Sequence, residues 1–384
     1  MASKINALTG SGGVAIEGDS SGILEFQSNG TTIMTVSSAS QTALNKIING
    51  DMRVDQRDAT ITPTTSDDFC VDRWSGREET DGAISMEQST DAPAGFVNSL
   101  KVTVTTADAS IAAGQFTRIA QPIEGYNIAD LNWGTADALS VTLSFWIKSS
   151  VTGNFYGGIR NSAGNRAYVF SYSVSSASTW EKKTITIAGD TTGTWLTDNN
   201  KGIWLLYSIG TGSDYQGTAG AWQAANVWSA SGDNGVMGTL NATWQLTGVQ
   251  LEAGGSASNF EYLQFGQQLE LCQRYFCKSY NIEDAVGSNT WVGTANIRNY
   301  DTTARSSHPI MEQFPVFMRA TPVLVSYSKA GTSGKCTTGS GSFDLSGTEV
   351  ACTLTGSERN IRGATVTVGS LNMCQFHFTA DAEL

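Results

Sequence analysis

Acidic side chains are concentrated between residues 67 and 91, where their oxygens could bind a cation. Eight carboxylates fall within these 25 residues, and Asp67, Asp68 and Asp72 begin the series. Ca²⁺ takes about six to eight oxygen ligands, so a structural Ca²⁺ held by these three residues is one interpretation. The spacing is not that of an EF-hand. We therefore favour a loop kept soluble by its charges and predict no cofactor.

Tryptophan is the second residue type whose chemistry suggests a ligand, and the chain has ten. Aromatic rings stack on the apolar C–H faces of sugars, and the indole N–H can donate to a hydroxyl. Four tryptophans have apolar, strand-like neighbours and are expected in the core: Trp74, Trp180, Trp204 and Trp244. Four others are candidates for glycan binding, with packing between subunits as the alternative: Trp146, Trp222, Trp228 and Trp291.

The chain has few histidines that could take part in catalysis or bind a metal. There are two histidines, His308 and His377, and neither lies in a nucleophile-elbow or metal-ligand motif. Hydrolysis of a glycoside needs two carboxylates at a defined separation, which a sequence does not reveal. We therefore predict a protein that is not an enzyme.

Composition favours an all-β protein. Charged residues make up 15% of the 384 residues, against a usual share of about a quarter, and glycine reaches 41 while proline is 6. Strands with Ser, Thr and Asn on the outside suit this composition better than charged helices. The net charge of −12 argues against nucleic-acid partners. No apolar run reaches the roughly 20 residues of a membrane span, and the polar start is unlike a signal segment, so we expect synthesis and assembly in the cytoplasm.

Apolar side chains alternate with polar ones through much of residues 45–262, which predicts half-buried strands of a two-sheet sandwich. The clearest strand covers residues 139–148 and directs five side chains to one face: Leu139, Val141, Leu143, Phe145 and Ile147. Ser144 and Trp146 lie on the other face. In the strand at 244–251 the alternation changes phase at Gly248, which predicts a bulge.

The remaining segments have different patterns. Residues 1–44 contain too few apolar side chains to fold alone, which favours self-association, and we interpret them as an attachment and trimerisation segment. Apolar residues at helical spacing predict a connecting helix at 265–279, within a linker at 263–280. Residues 281–384 are predicted to form a second β-domain, with strands at 314–318, 322–325, 364–368 and 373–379.

The six cysteines show no zinc-binding spacing, so free thiols are expected. Cys272 and Cys277 are predicted to lie on one helix, about 140° apart around its axis and too far apart to bridge. A disulfide between Cys336 and Cys352 is the alternative that we leave open.

Several short motifs follow one another along the chain, and we call these segments the motif set. Its first part is Asn-Gly-Asp-Met-Arg-Val-Asp-Gln-Arg at 49–57, Val-Asp-Arg-Trp at 71–74, Ile-Glu-Gly at 123–125, Ser-Phe-Trp-Ile-Lys at 144–148, Thr-Gly-Val-Gln-Leu-Glu-Ala-Gly at 247–254 and Leu-Cys-Gln-Arg-Tyr at 271–275. Its second part is Phe-Pro-Val at 314–316, Met-Arg-Ala-Thr-Pro at 318–322 and Ala-Asp-Ala-Glu-Leu at 380–384. In this order the motif set resembles tail-fibre and related receptor-binding proteins of tailed bacteriophages.

The resemblance implies a carbohydrate-binding-like jelly roll at 45–262, a homotrimeric fibre in the virion and attachment to a bacterial surface polysaccharide. It also implies that residues 1–44 contact other virion proteins and that 281–384 form the distal, receptor-binding end. Two alternatives remain open. One is an appendage that cleaves glycans, since some fibres resembling this one do so, and the other is a fibre or decoration protein on the capsid.

Overall fold

The computed structural model describes residues 23–28, 31–37, 45–233, 235–298, 305–340, 347–368 and 372–384. Within the predicted attachment segment, β1 (Ile23–Ser28) and β2 (Thr31–Ser37) pair as an antiparallel hairpin. The rest of residues 1–44 lies outside the described residues. Trimerisation and virion attachment therefore stay predictions.

The central region is a sandwich of two antiparallel sheets. Its strands are β3 (Asp68–Phe69), β4 (Ser75–Glu78), β5 (Ala83–Ser89), β6 (Ser99–Thr106), β7 (Phe116–Glu124), β8 (Val141–Ser149), β9 (Gly153–Asn161), β10 (Ala167–Val174), β11 (Glu181–Ile187), β12 (Lys201–Thr211), β13 (Trp222–Gln223) and β14 (Thr243–Ala253). One sheet has seven strands in the order β13-β10-β9-β12-β7-β4-β3, and the other has five in the order β11-β8-β14-β6-β5. The predicted all-β fold with a central jelly roll is confirmed.

The predicted alternation on β8 is confirmed by the core between the sheets. Val141, Leu143, Phe145 and Ile147 are fully buried, and the rings of Tyr172 and Tyr207 meet Phe145 edge to face. Two details of the prediction are wrong. Leu139 precedes the strand and is 40% exposed. Ser144 is buried, because other segments cover the outer face of the five-stranded sheet.

The predicted bulge in β14 is present at Gly248. Register with β8 shifts between Thr247 and Gln250, and Gly248 adopts φ +60°. A Cβ at this position would lie 2.7 Å from the Phe96 ring, so both the backbone conformation and the space favour glycine. The bulge lets the strand keep apolar side chains on the core face on both sides of the phase change.

The predicted helix is shorter than its periodicity suggested. Helix α1 covers Phe265–Gln273, with Gln264 and Gln267 forming a capping box. It is the single α-helix in the described part of the chain, and it lacks the length and apolar character of a membrane span. Strand β15 (Phe276–Lys278) follows, so Cys277 lies on a strand rather than on the helix with Cys272. Residues 276–278 form backbone hydrogen bonds with residues 379–381 of the last strand, and they could not form these bonds if the helix continued through them.

Two further sheets enclose a second core after α1. Their strands are β15, β16 (Ala295–Arg298), β17 (Arg305–Gln313), β18 (Val323–Tyr327), β19 (Lys335–Ser340), β20 (Glu349–Ala351), β21 (Thr353–Gly356), β22 (Asn360–Val368) and β23 (Asn372–Asp381). Strand β23 pairs with β15, β16, β18 and β19, and β22 lies between β17 and β21. We call this unit the C-terminal β-domain. It begins at β15, a few residues before the predicted boundary at 281.

Two predictions for this domain are wrong. Residues 314–318 form no strand. Phe314 and Met318 donate their backbone N–H groups to the carbonyls of Arg359 and Glu358, and Pro315 has no N–H to donate. The expectation of free thiols is wrong for Cys336 and Cys374, which are bonded to each other because β19 and β23 are neighbours in the sheet, and the alternative bridge from Cys336 to Cys352 is not formed. The other four cysteines are buried free thiols.

Candidate functional site

The outer face of the seven-stranded sheet carries an unusual group of cationic and aromatic side chains. On β12, the core face takes Ile203, Leu205 and Tyr207, so the alternation directs Trp204 to the opposite face. Trp204 pairs in register with Arg160 of β9 on one side and Pro122 of β7 on the other. Side chains from neighbouring strands therefore meet around the Trp204 ring.

Three cations lie over this ring. The guanidinium carbons of Arg118 and Arg160 lie 3.9 and 4.6 Å from the ring centre, and the Lys201 ammonium lies 3.6 Å from it. Cation–π attraction favours this arrangement and keeps positive charge close to an aromatic surface. We define the basic–aromatic face as the following residues: Phe116, Arg118, Arg160, Lys201, Trp204, Tyr215 and Trp228.

A long connection between β12 and β14 builds one wall of this face. Trp228 stacks on Tyr215 with ring centres 4.5 Å apart and meets Phe116 edge to face. The connection lies directly on β9 at Gly158, where a Cβ would come 2.8 Å from the Trp228 backbone. Glycine at this position is therefore what allows the wall to lie on the sheet.

Four N–H donors of the face are buried without a partner among the described residues: Arg118 Nη1, Arg160 Nε, Trp204 Nε1 and Trp228 Nε1. Buried polar groups are nearly always hydrogen-bonded, and an orphaned donor costs about 1 to 3 kcal/mol. All four of these atoms are donors. The face is therefore rich in donors and poor in acceptors.

Burial also lowers the pKa values of the three cationic side chains of this face. Burial is the main cause of a lowered pKa of about 7 for Lys201; Asp67 opposes this change, and the charges of Arg118 and Arg160 add to it. Burial likewise lowers the pKa of Arg118 to about 9 and that of Arg160 to about 10. Arg118 donates to Asp67 over 2.8 Å, whereas no carboxylate of the described chain pairs with Arg160 or Lys201. An added anion would stabilise the charged form of all three.

Of the four tryptophans predicted to bind a glycan, the structure places one on this face. Trp228 is 2% exposed and belongs to the wall. Trp146 lies on the outside of the other sheet beside Gly248, and Trp222 packs edge to face on Trp133. Trp291 lies in the C-terminal β-domain, 5.1 Å below the ammonium of Lys329. The four side chains are therefore not brought together.

The three predicted metal ligands have separate partners. Asp67 pairs with Arg118, Asp68 accepts hydrogen bonds from Thr64, and Asp72 is buried against Gln56. In the part of the chain that the structure describes, no three His, Cys, Asp or Glu side chains are grouped to hold a metal. The alternative interpretation, a structural Ca²⁺ at these three residues, therefore has no cluster of donors in the described residues to support it.

Sequence reasoning missed the centre of the face. Trp204 was assigned to the core, and it is indeed only 7% exposed, but it lies on the side of β12 away from the core. The alternation of Ile203, Leu205 and Tyr207 was a signal for this placement. Arg118 and Arg160, charged residues within otherwise apolar strands, were a second signal.

A second candidate surface, which is concave, lies in the C-terminal β-domain. A cavity of about 460 Å³ is lined by residues 313–317 together with Arg359, Asn360 and Arg362. The Arg359 guanidinium carbon lies 4.1 Å from the centre of the Phe317 ring, and Phe317 is 53% exposed. We call this surface the distal groove. It lies within residues 281–384, for which receptor binding stays a prediction.

Most of the motif set converges elsewhere, where the C-terminal β-domain meets the central sandwich. We call this contact the junction. Glu124 of β7 accepts from both Arg274 Nε and Nη2, at 2.9 and 2.6 Å, and from the hydroxyl of Tyr275 at 2.6 Å. Arg73 lies 3.5 Å over the Tyr275 ring and pairs with Glu383.

Residues 380–384 are held by the same network. Arg57 reaches Asp381 and Glu383 at 3.4 Å each and lies 3.8 Å over the Phe276 ring. Arg319 donates to the backbone carbonyls of Ala382 and Glu383. These motifs therefore hold the C-terminal β-domain against the central sandwich.

Comparison with known proteins adds little beyond the fold. No family model and no curated protein matches the chain. Similar solved structures include the enzymatically active domain of tailspike protein 4 of bacteriophage CBA120, with 12% identity and TM-score 0.31 over 55% of this chain and 21% of that one. The alignment thus spans about a fifth of the tailspike chain.

Two other similar structures are named for sugars. A putative sugar-binding protein from Bacteroides thetaiotaomicron has 11% identity and TM-score 0.32 over 55% of this chain and all of that one. A family 11 carbohydrate-binding module from Clostridium thermocellum, in complex with a mixed-linked tetrasaccharide, has 14% identity and TM-score 0.27, covering 52% and 99%. TM-scores this low carry no functional argument, so the proposal below rests on the basic–aromatic face.

Proposed function

We propose that this chain is a bacteriophage fibre protein that attaches the particle to a glycan of the bacterial surface and binds that glycan on the basic–aromatic face. The observation that carries the proposal is the set of four buried, unpartnered N–H donors around the Trp204 ring. Sugars offer many oxygen acceptors and apolar C–H faces, which suit donors arranged beside aromatic rings.

The place in a virion is supported by the motif resemblance alone. A homotrimer attached through residues 1–44 would present three copies of the face, and repeated weak contacts raise the overall affinity. The motif set builds the junction, which would hold the C-terminal β-domain in a fixed position relative to the face.

Binding of the purified full chain to host surface polysaccharide tests the proposal. We expect Arg160→Gln to weaken binding by about tenfold, because the guanidinium is half-buried beside Trp204 and lost charge-assisted hydrogen bonds cost about 1.5 to 3 kcal/mol. Arg362→Gln, in the distal groove, is the matched variant. If only Arg362→Gln weakened binding, the glycan site would lie in the C-terminal β-domain, as the sequence predicted.

Truncation after Tyr262 is a poor way to separate the two domains. It would remove Arg274 and Tyr275 and leave Glu124 without its partners. Loss of binding would then reflect a damaged junction as well as a missing groove. Single substitutions keep both domains in place.

We also propose that binding occurs without cleavage. Two carboxylates beside the face, Asp67 and Glu79, are paired with Arg118 and Arg77 and are not free to act as an acid and a base. Incubating host polysaccharide with the protein and measuring new reducing ends checks this. A steady release of reducing ends would favour the glycan-cleaving alternative.

A further inference from the structure

We propose that the basic–aromatic face recognises an acidic group on the glycan, a carboxylate or a phosphate ester, held between Arg118, Arg160 and Lys201. The inference rests on the proposed function and narrows it to one chemical class of sugar. It follows from the charges of the face and from the donors that lack partners.

The first step concerns charge. Four cations surround the face, since Arg77 lies 5.7 Å from the Phe116 ring centre in addition to Arg118, Arg160 and Lys201. Of these cations, Arg118 and Arg77 are paired with Asp67 and Glu79, whereas Arg160 and Lys201 form no ion pair among the described residues, in a chain whose net charge is −12. An excess of positive charge on one sheet face of an acidic protein marks a place where an anion is attracted.

The second step concerns hydrogen bonds. Arg160 donates to the side-chain oxygen of Asn226, a neutral acceptor, and Lys201 Nζ has no acceptor among the described residues. Arg118 is 2% exposed and Asp67 occupies only its Nη2. A carboxylate or phosphate presents several acceptor oxygens at once and accepts charge-assisted bonds from guanidinium groups. A neutral hydroxyl would satisfy fewer of these donors.

The third step concerns Trp204. Three cations cover its ring, so the ring is not open for stacking by a neutral sugar. The cations, rather than the Trp204 ring, are therefore the groups that would contact a ligand at this position, and cations favour an acidic group over a neutral sugar.

Titration calorimetry with the full chain and defined probes tests the inference. The probes are an oligogalacturonate, the same oligomer fully methyl-esterified, and a phosphodiester-linked ribitol oligomer. We expect the oligogalacturonate or the phosphodiester oligomer to bind at least about tenfold more tightly than the neutral ester, with an affinity that falls as salt rises. The charged probe that binds more tightly identifies the acid.

Lys201→Met provides the decisive variant, because the methionine stem still covers Trp204 while the charge is lost. Affinity for the acidic probe should fall about tenfold, and Lys201→Arg should restore most of it. Lys101→Met, on the outer face of the other sheet, is the matched control and should bind like the wild type.

The outcomes separate this inference from the function on which it depends. Equal binding of the acidic and esterified oligomers, unchanged by Lys201→Met, would overturn the acidic specificity and leave glycan binding intact. Binding to none of the probes and none of the host polysaccharide would overturn both. Single-stranded DNA serves as a further probe, and binding to it as tight as to the acidic sugar oligomers would overturn recognition of a glycan acid in favour of a general attraction of anions.

Discussion

The substitution Glu124→Gln tests whether the buried ion pair at the junction stabilises the folded chain. Glu124 is 2% exposed and receives three hydrogen bonds from Arg274 and Tyr275. Removing one partner of a buried ion pair costs about 3 to 5 kcal/mol. Because the Arg274 side chain is 33% exposed, water recovers part of its solvation, and we expect a loss of about 2 to 3 kcal/mol.

The pH dependence of this loss has a definite sign. Burial alone would raise the pKa of Glu124, but hydrogen bonds from Arg274 and Tyr275 and the Arg274 charge outweigh it, so the pKa lies below 4.5. The stabilisation is therefore present above about pH 4.5 and is lost as pH falls through the lowered pKa. The difference between Glu124→Gln and the wild type should shrink in acid, where both side chains are neutral.

Urea unfolding of the full chain, followed by circular dichroism at about pH 7 and at a series of pH values from about 5 down to about 2, below the lowered pKa of Glu124, measures both effects. Glu87→Gln is the control, since Glu87 forms an exposed pair with Lys101 and should cost less than about 1 kcal/mol. A Glu124→Gln protein as stable as this control at neutral pH would refute the role of the pair. A loss that is undiminished in acid would refute its electrostatic origin.

Three further predictions concern the core, the cations and assembly. Phe145→Ala should lower the free energy of unfolding by about 3 to 5 kcal/mol, because the Phe145 ring packs against Tyr172 and Tyr207 in the core. Ser144→Ala should lower it by less than about 1 kcal/mol, and equal losses for the two variants in thermal unfolding would contradict this. Lys201→Met should raise the free energy of unfolding at about pH 7 by on the order of 2 to 4 kcal/mol, because the folded chain buries a lysine whose charged form is disfavoured there. This gain should fade towards about pH 10, where the lysine is neutral in the folded chain and begins to lose its proton in the unfolded chain as well. A gain that grows with pH would contradict this explanation. Light scattering should give a trimer of the 40.7 kDa chain, and a stable monomer at micromolar concentration would exclude it.

Predictions from the sequence were accurate where one face of a strand is apolar. The alternation on β8 placed Phe145 correctly, because one side of that strand packs against the other sheet. On β12 both sides are covered, one by the five-stranded sheet and the other by the connection that carries Trp228. The apolar run was therefore read as core throughout, and the separate environment of Trp204 was missed.

Features that depend on pairing between residues far apart along the chain also could not be predicted from the sequence. The end of α1 is set by pairing of β15 with β23, about a hundred residues later. The bond between Cys336 and Cys374 depends on the order of strands in the sheet. The basic–aromatic face joins residues from β7, β9 and β12, whose adjacency no local pattern reports.

The junction limits how such a chain can exchange segments with related chains by recombination. Arg57 and Arg73 belong to the central sandwich, whereas their partners Asp381 and Glu383 come more than 300 residues later. A single crossover between these positions would separate the partners unless both parents share them. Two crossovers in exposed loops that flank the replaced segment would leave these ion pairs intact, and the largely exposed loop at 330–334 is one such position. We therefore expect recombination to replace internal segments while the motifs that contain Arg57 and Arg73 and residues 380–384 stay unchanged.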